Sequence, residues 1–262
     1  MRRFIAHLPE YGIEAVLLGV FMLSACGFGV LLEHPESPVR QAIGDPTLRR
    51  VLMGFAMGTT AVAIIYSPWG GRSGAHINPA TTLTFWRLGR IRGVDVAGYV
   101  GAQVLGAVLG VTLASALLGP RLADASVRFV ITRPGRWGPV PALLAEVAIS
   151  AILMGLVVRL TGSRLARYTG LVVGLLVATY ISIEAPISGM SMNPARSFAS
   201  ALAAWQWRAL WIYFTAPPVG MLLAAEVYVA LHGAHRVLCA KLNHHTVRRC
   251  IFRCRFGSLG AA

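Results

Sequence analysis

Three asparagines occur in this 262-residue chain, Asn78, Asn193 and Asn243, and two of them open the same tripeptide, Asn-Pro-Ala. The two copies share a longer frame, Ser73-Gly74-Ala75-His76-Ile77-Asn78-Pro79-Ala80 and Ser188-Gly189-Met190-Ser191-Met192-Asn193-Pro194-Ala195, with a step of 115 positions between Asn78 and Asn193. Each reads as a helix start. Asparagine stands at the N-cap, proline follows at the first helical position where its missing N–H costs nothing, and a short apolar run continues. An asparagine amide at such a cap offers N–H donors beside the positive end of a helix. Arg196, directly after the second copy, adds a fixed cation. This is chemistry for holding and orienting a neutral dipole.

The elements carrying these caps follow from composition. Hydrophobic residues make up 56% of the chain and charged residues 13%, which fits a polytopic membrane protein built as one domain. A net charge of +14 would suggest nucleic acid in a soluble protein. Here most arginines flank apolar spans, so no nucleic-acid partner is expected. Six spans are predicted, over about 11–32, 51–66, 94–118, 141–159, 168–183 and 208–231. The runs after the two boxes, Thr81 to Arg87 and Arg196 to Ala203, are too short to cross a hydrocarbon core about 30 Å thick. They are predicted as half-helices. The N-terminus imitates a secretory signal, but the five further spans and the symmetry of the halves make it a first span instead.

Three spans separate the boxes. An odd number brings the second box in from the opposite face, so the chain is an inverted repeat, each half being two spans, a half-helix and a third span. The predicted fold is thus an all-α membrane protein. Residues 1–10 form an N-terminal segment, 11–231 a channel domain with repeats over about 11–118 and 141–231, and 232–262 a basic tail. Arg2, Arg3, Arg87, Arg90, Arg92, Arg159, Arg164, Arg167 and the tail fall on one side. The other mixes Arg40, Arg49, Arg121, Arg128, Arg133 and Arg136 with Glu33, Glu36, Asp45 and Asp124. The excess of arginine predicts that both termini are cytoplasmic. Non-helical backbone at membrane depth is tolerated where it lines a wet cavity, so the two re-entrant segments are expected to meet in one pore. A water oxygen accepting from both amides is oriented and its proton wire interrupted, while the two positive helix ends repel cations.

On these residues the sequence resembles the aquaporins, the major intrinsic proteins, from about Glu10 to Leu231. The two Asn-Pro-Ala boxes, Asn193-Pro194-Ala195-Arg196-Ser197-Phe198, Ser73-Gly74-Ala75-His76 and Ala102-Gln103 all match that family's pattern. The resemblance implies an aquaporin-like fold of six transmembrane helices and two re-entrant half-helices, usually a homotetramer with one pore per subunit. Its aromatic/arginine constriction falls on Phe55, Ile181, Met190 and Arg196, or on Gly58 in place of Phe55 if the loop from Tyr66 to Ser73 carries no insertion. Histidine is usual in water-selective members where Ile181 stands, whereas Ser197 and the pair Tyr213-Phe214 lean towards water. Structural support is expected from Glu14, Glu146, His76 and Gln103, the two glutamates accepting hydrogen bonds from the re-entrant backbone. A water channel is expected, with a glycerol or small neutral solute facilitator of the same fold as the alternative.

Other readings of the same residues stay open. Arg196 is a constriction cation or a snorkelling arginine like Arg208. Glu14, Glu146, Glu184 and Glu226 would be the relay of a proton-coupled secondary transporter, the rival from another class. Glu184 is either solvated at the outer mouth or an electrostatic neighbour of Arg196. A closed pore would make the protein purely structural. His76 is a loop brace or a metal ligand. Cys26 lies in the first span and Cys239, Cys250 and Cys254 in the tail, no disulfide framework for a reducing cytoplasm. The tail histidines His244 and His245 and the cysteines lack the Cys-x2-Cys spacing common in zinc sites. No metal, cofactor or catalytic residue is therefore expected, and the tail arginines are expected to meet anionic lipid. The expected location is the plasma (inner) membrane, with lipid, water and small neutral solutes as partners.

Overall fold

The computed structural model describes residues 2–244 and 249–256. Among these, six helices are long and apolar enough to cross a membrane. They are α1 (Leu8–Glu33), α2 (Pro46–Tyr66), α4 (Gly93–Leu118), α5 (Pro139–Thr161), α6 (Thr169–Ile183, with the 3-10 turn Ala166–Tyr168 completing its span) and α8 (Leu210–His232). Between them lie the half-helices α3 (Pro79–Arg87) and α7 (Pro194–Ala204). With nine and eleven residues these reach only about 14 Å and about 17 Å.

Close helix seams hold the halves together, and glycine makes them. A Cβ on Gly106 of α4 would stand 2.0 Å from the Ala15 carbonyl oxygen of α1, and one on Gly220 of α8 would stand 2.3 Å from that of Val147 on α5. These two seams are equivalent in the two repeats. The α2–α6 seam relates each repeat to the other: a Cβ on Gly58 would meet the Gly174 oxygen at 2.5 Å, and one on Gly174 the Gly58 oxygen at 2.7 Å. Small residues let helix backbones approach where no hydrophobic force between helices is available in lipid. The pseudo-two-fold axis runs between these glycines.

Two straps cover the ends of the bundle. The loop after α2 folds into a short helix, Pro68–Ser73, started by the Ser67 cap and ended by left-handed Gly74. Against it lies the tail. Leu242 N–H donates to the Gly74 carbonyl at 3.1 Å, and the Lys241 ammonium, 1% exposed, donates to the carbonyls of Gly71 at 2.7 Å and Arg249 at 2.8 Å. Arg253 N–H reaches the Arg90 carbonyl at 2.9 Å. Instead of trailing into lipid, the described tail is folded back onto the body, with the side chains of Arg249, Arg253 and Arg255 left exposed. At the opposite end, Gly135 N–H donates to the Ile187 carbonyl at 2.8 Å, seating the loop between α4 and α5 on the second re-entrant segment.

Candidate pore

Both boxes form the predicted caps. Asn78 and Asn193 sit in extended backbone with proline at the next position. The Asn78 Oδ1 accepts from Ala80 N–H at 2.9 Å, and the Asn193 Oδ1 accepts from Ala195 at 3.1 Å and Arg196 at 3.3 Å. The amide nitrogens then tie the halves together: Asn78 Nδ2 donates to the Met192 carbonyl and Asn193 Nδ2 to the Ile77 carbonyl, each at 2.7 Å. So the two half-helices meet N-terminus to N-terminus. One of each amide's two N–H groups is spent on the opposite loop, which leaves the other for the lumen.

The approach to each cap is irregular backbone with positive φ at Gly74, Ala75 and Ile77, and at the equivalent Gly189, Met190 and Met192. Buried amides in such a segment need acceptors. A carboxylate from the first span of each repeat supplies them. Glu14 accepts from the Ser73 hydroxyl at 2.7 Å and from the amides of His76 at 3.1 Å and Ile77 at 2.6 Å. Glu146 accepts from the Ser188 hydroxyl at 2.8 Å and from the amides of Ser191 at 2.6 Å and Met192 at 2.8 Å. The hydroxyls of Tyr99 and Tyr213 complete the pair by donating to the carbonyls of Ser73 and Ser188. Gln103 Nε2 donates to Glu14 at 2.9 Å and to Thr82 Oγ1 at 3.1 Å.

His76 braces its loop as well. Its Nε2 donates to the Ala240 carbonyl at 2.7 Å, which leaves Nδ1 to accept from the Thr82 hydroxyl at 3.1 Å. The ring is sandwiched between Phe85 and Phe252, at 5.3 and 5.4 Å. Both nitrogens are occupied, which argues against a metal ligand.

A cavity of about 460 Å³ runs past the caps, lined by Asn78 and Asn193, by Ile181, Met190 and Arg196 on one side of them, and by His76 and Leu242 on the other. Arg196 lines this cavity, and its Nη1 is buried without a hydrogen bond to a described residue. Arg208, in contrast, is exposed before α8. Phe55 is not part of this site. It is 62% exposed on the outside of α2, and Gly58 is spent in the α2–α6 seam. The face of α2 that meets the lumen carries Arg50, Met53, Met57, Ala61 and Ile65 instead. That spacing of three and four residues is one helix face, and Phe55 lies about 200° from Met57 around the helix. The reading from sequence missed Arg50, Met53 and Met57. The helical period was present, but the position was taken from the family's pattern, and the short helix Pro68–Ser73 in the following loop shifts that match along α2.

The sequence profile of one family, described as Major intrinsic protein, matches residues 11–228. The chain belongs to this family. It is 35% identical over 219 residues to the probable aquaporin NIP7-1 of Arabidopsis thaliana, covering 82% of this chain and 74% of the relative. To Aquaporin Z of Photorhabdus laumondii it is 31% identical over 226 residues, covering 82% and 95%. Its fold resembles the X-ray structure of the aquaglyceroporin from Plasmodium falciparum with a TM-score of 0.67 at 19% identity, covering 85% of this chain and 95% of that one.

As a major intrinsic protein it is an integral multi-pass membrane channel of the aquaporin and aquaglyceroporin type, not an enzyme. The four glutamates do not form a relay in this major intrinsic protein. Glu14 and Glu146 are tied to separate re-entrant loops, and Glu226 pairs with Arg87 at 2.9 Å. Glu184 is buried, not solvated, and neither carboxylate oxygen hydrogen-bonds a described residue. In the tail, His245 lies outside the described residues, whereas Cys239, His244, Cys250 and Cys254 are drawn together.

Proposed function

We propose that this channel passes water together with small uncharged solutes and holds back protons and cations. The observation that carries the reading is the lining of the lumen beside the second box, where Arg196 and Arg50 are the charged donors, Arg50 spending its Nε on the Ser182 carbonyl at 2.9 Å, and Met53, Met57, Ile181 and Met190 supply apolar walls. A solute with a carbon skeleton is less disfavoured against such walls than in a filter with a polar side chain where Ile181 stands. The paired caps support cation exclusion, because both helix N-termini turn their positive ends to the same point of the lumen. The arginine-rich loops support a chain with both termini in the cytoplasm of the plasma (inner) membrane, and the family pattern supports a homotetramer with a pore in each subunit.

Proteoliposome shrinkage and reswelling in glycerol and urea, beside osmotic water flux in the same vesicles, tests this. The parent is expected to pass water and at least one of the two solutes. Ile181→His is expected to keep water flux and lower solute uptake. A parent that passes water alone, excluding both solutes as strictly as Ile181→His, overturns the reading.

A further inference from the structure

The tail brings four ligand-bearing side chains to one point. The sulfurs of Cys239, Cys250 and Cys254 and a ring nitrogen of His244 all lie within 4.8 Å of one another. Cys239 and Cys250 stand 3.6 Å apart, and Cys254 Sγ is 3.0 Å from His244 Nε2. A tetrahedral zinc with Zn–S of about 2.3 Å and Zn–N of about 2.0–2.1 Å has edges of about 3.5–3.8 Å, so shifts of about 1 Å close the set, the longer separations shortening while the Cys254–His244 pair opens by about 0.5 Å. The expectation of no metal rested on the linear spacing. Cys250-x3-Cys254 is itself a workable knuckle, and the fold-back of the tail brings Cys239 and His244 to it.

The surroundings are those of thiolate ligands. The Phe256 amide donates to the Cys254 sulfur at 3.4 Å, and the amides of Lys241 and Phe252 stand in the same two-residue relation to Cys239 and Cys250. Such N–H···S bonds orient and stabilise metal-bound sulfur. The His244 ring is stacked on Phe256 at 4.3 Å. Arg90 and Lys241 lie near enough to interact with these sulfurs and offset the net negative charge of a Cys3His zinc centre. All four cysteines of the chain are free, so no disulfide uses up the ligands.

We propose that Cys239, His244, Cys250 and Cys254 bind one Zn²⁺ ion, which fastens the C-terminal strap over the mouth lined by His76 and Leu242. Three soft sulfurs and one imidazole in a closed tetrahedral set select zinc and leave no open position for chemistry. The three thiols release their protons as the metal binds. The site goes beyond the channel function and does not depend on which solute passes.

The test uses the full-length channel, purified under reductant with a tag free of histidine, and metal content measured by inductively coupled plasma mass spectrometry. One zinc per chain is expected in the parent. In Cys250→Ser and Cys254→Ser it should fall to the level of a chain lacking the tail, while osmotic water flux shows that these variants are assembled. Cobalt exchanged into the parent should give the thiolate charge-transfer and intense ligand-field bands of a tetrahedral site, a readout that does not depend on the variants folding. A zinc-free parent with reactive thiols, a Cys239–Cys250 disulfide, zinc retained in both serine variants, or an octahedral cobalt spectrum would each overturn the proposal.

Discussion

Each pore asparagine divides its amide group between three tasks. The oxygen caps a half-helix, one N–H holds the opposite loop's carbonyl, and the second N–H is left over at the cavity both residues line. Replacing Asn78 or Asn193 by aspartate removes both donors and sets a carboxylate against the Met192 or Ile77 carbonyl, where the two positive helix ends meet. Cation conductance in planar bilayers should rise. Assembled variants as tight to sodium and protons as the parent would show that the barrier lies elsewhere. The α2 face makes a second prediction at this scale. Met57→Phe should reduce solute uptake, because Met57 is buried against the lumen, whereas Phe55→Ala should leave water and solute flux within error of the parent. A strong flux change in Phe55→Ala alone would show that the rotation of α2 is misassigned.

At the level of elements, the half-helices depend on their glutamate braces more than on their own length. A nine- or eleven-residue helix is marginal by itself, and each is preceded by backbone with positive φ that only surrounding contacts maintain. Glu146→Gln keeps the shape but turns one of the two accepting oxygens into an NH2 that faces a donor, either the Met192 amide or the Ser188 hydroxyl and Ser191 amide. It should cost about 1–3 kcal/mol and lower both the thermal unfolding midpoint in detergent and the water flux per assembled channel. Unchanged stability would mean that the brace is replaceable by solvent. The helix seams are less forgiving still. Gly106→Val would drive a branched side chain into the Ala15 backbone, at a cost of about 1–3 kcal/mol or more. Its assembled yield, measured by size-exclusion chromatography, should fall well below that of an equivalent change at Gly101, where nothing lies within 4 Å.

The whole molecule is a symmetric body closed by two dissimilar straps. The position of His76 is held by Ser191 in the second repeat. Ser191 hydrogen-bonds Ser197, which Thr132 of the α4–α5 loop also reaches at 2.7 Å, whereas His76 binds the tail. The tail therefore belongs to one mouth only, and Leu242 lines the lumen there. Ending the chain after Gly233 removes Leu242 and unstacks Phe252 from His76. Water flux per channel should rise, and the unfolding midpoint should fall because the Ala240 acceptor and the aromatic sandwich are lost. Flux equal to the parent's would show that the strap rests beside the path and not across it.

The paired boxes, the odd number of spans between them and the lengths of the apolar runs determined the inverted repeat, because a hydrocarbon slab imposes its thickness and its demand for satisfied backbone on any chain that crosses it. That Asn78, Asn193, Glu14, Glu146, His76 and Gln103 would be tied to the re-entrant segments was legible for a related reason: polar groups are few in such a chain, and each must find a partner. The face that α2 turns to the lumen was decided only by tertiary structure. Phe55 was placed by matching the family's pattern across the loop from Tyr66 to Ser73, and the glycines at 54 and 58 that lock α2 onto α6 turn Met53 and Met57 towards the cavity and Phe55 away from it. The gathering of Cys239, His244, Cys250 and Cys254 was likewise decided in three dimensions. Their spacing along the chain is irregular, and they converge because the tail is pinned at Gly71, Gly74, Arg90 and His76, contacts between segments more than a hundred residues apart.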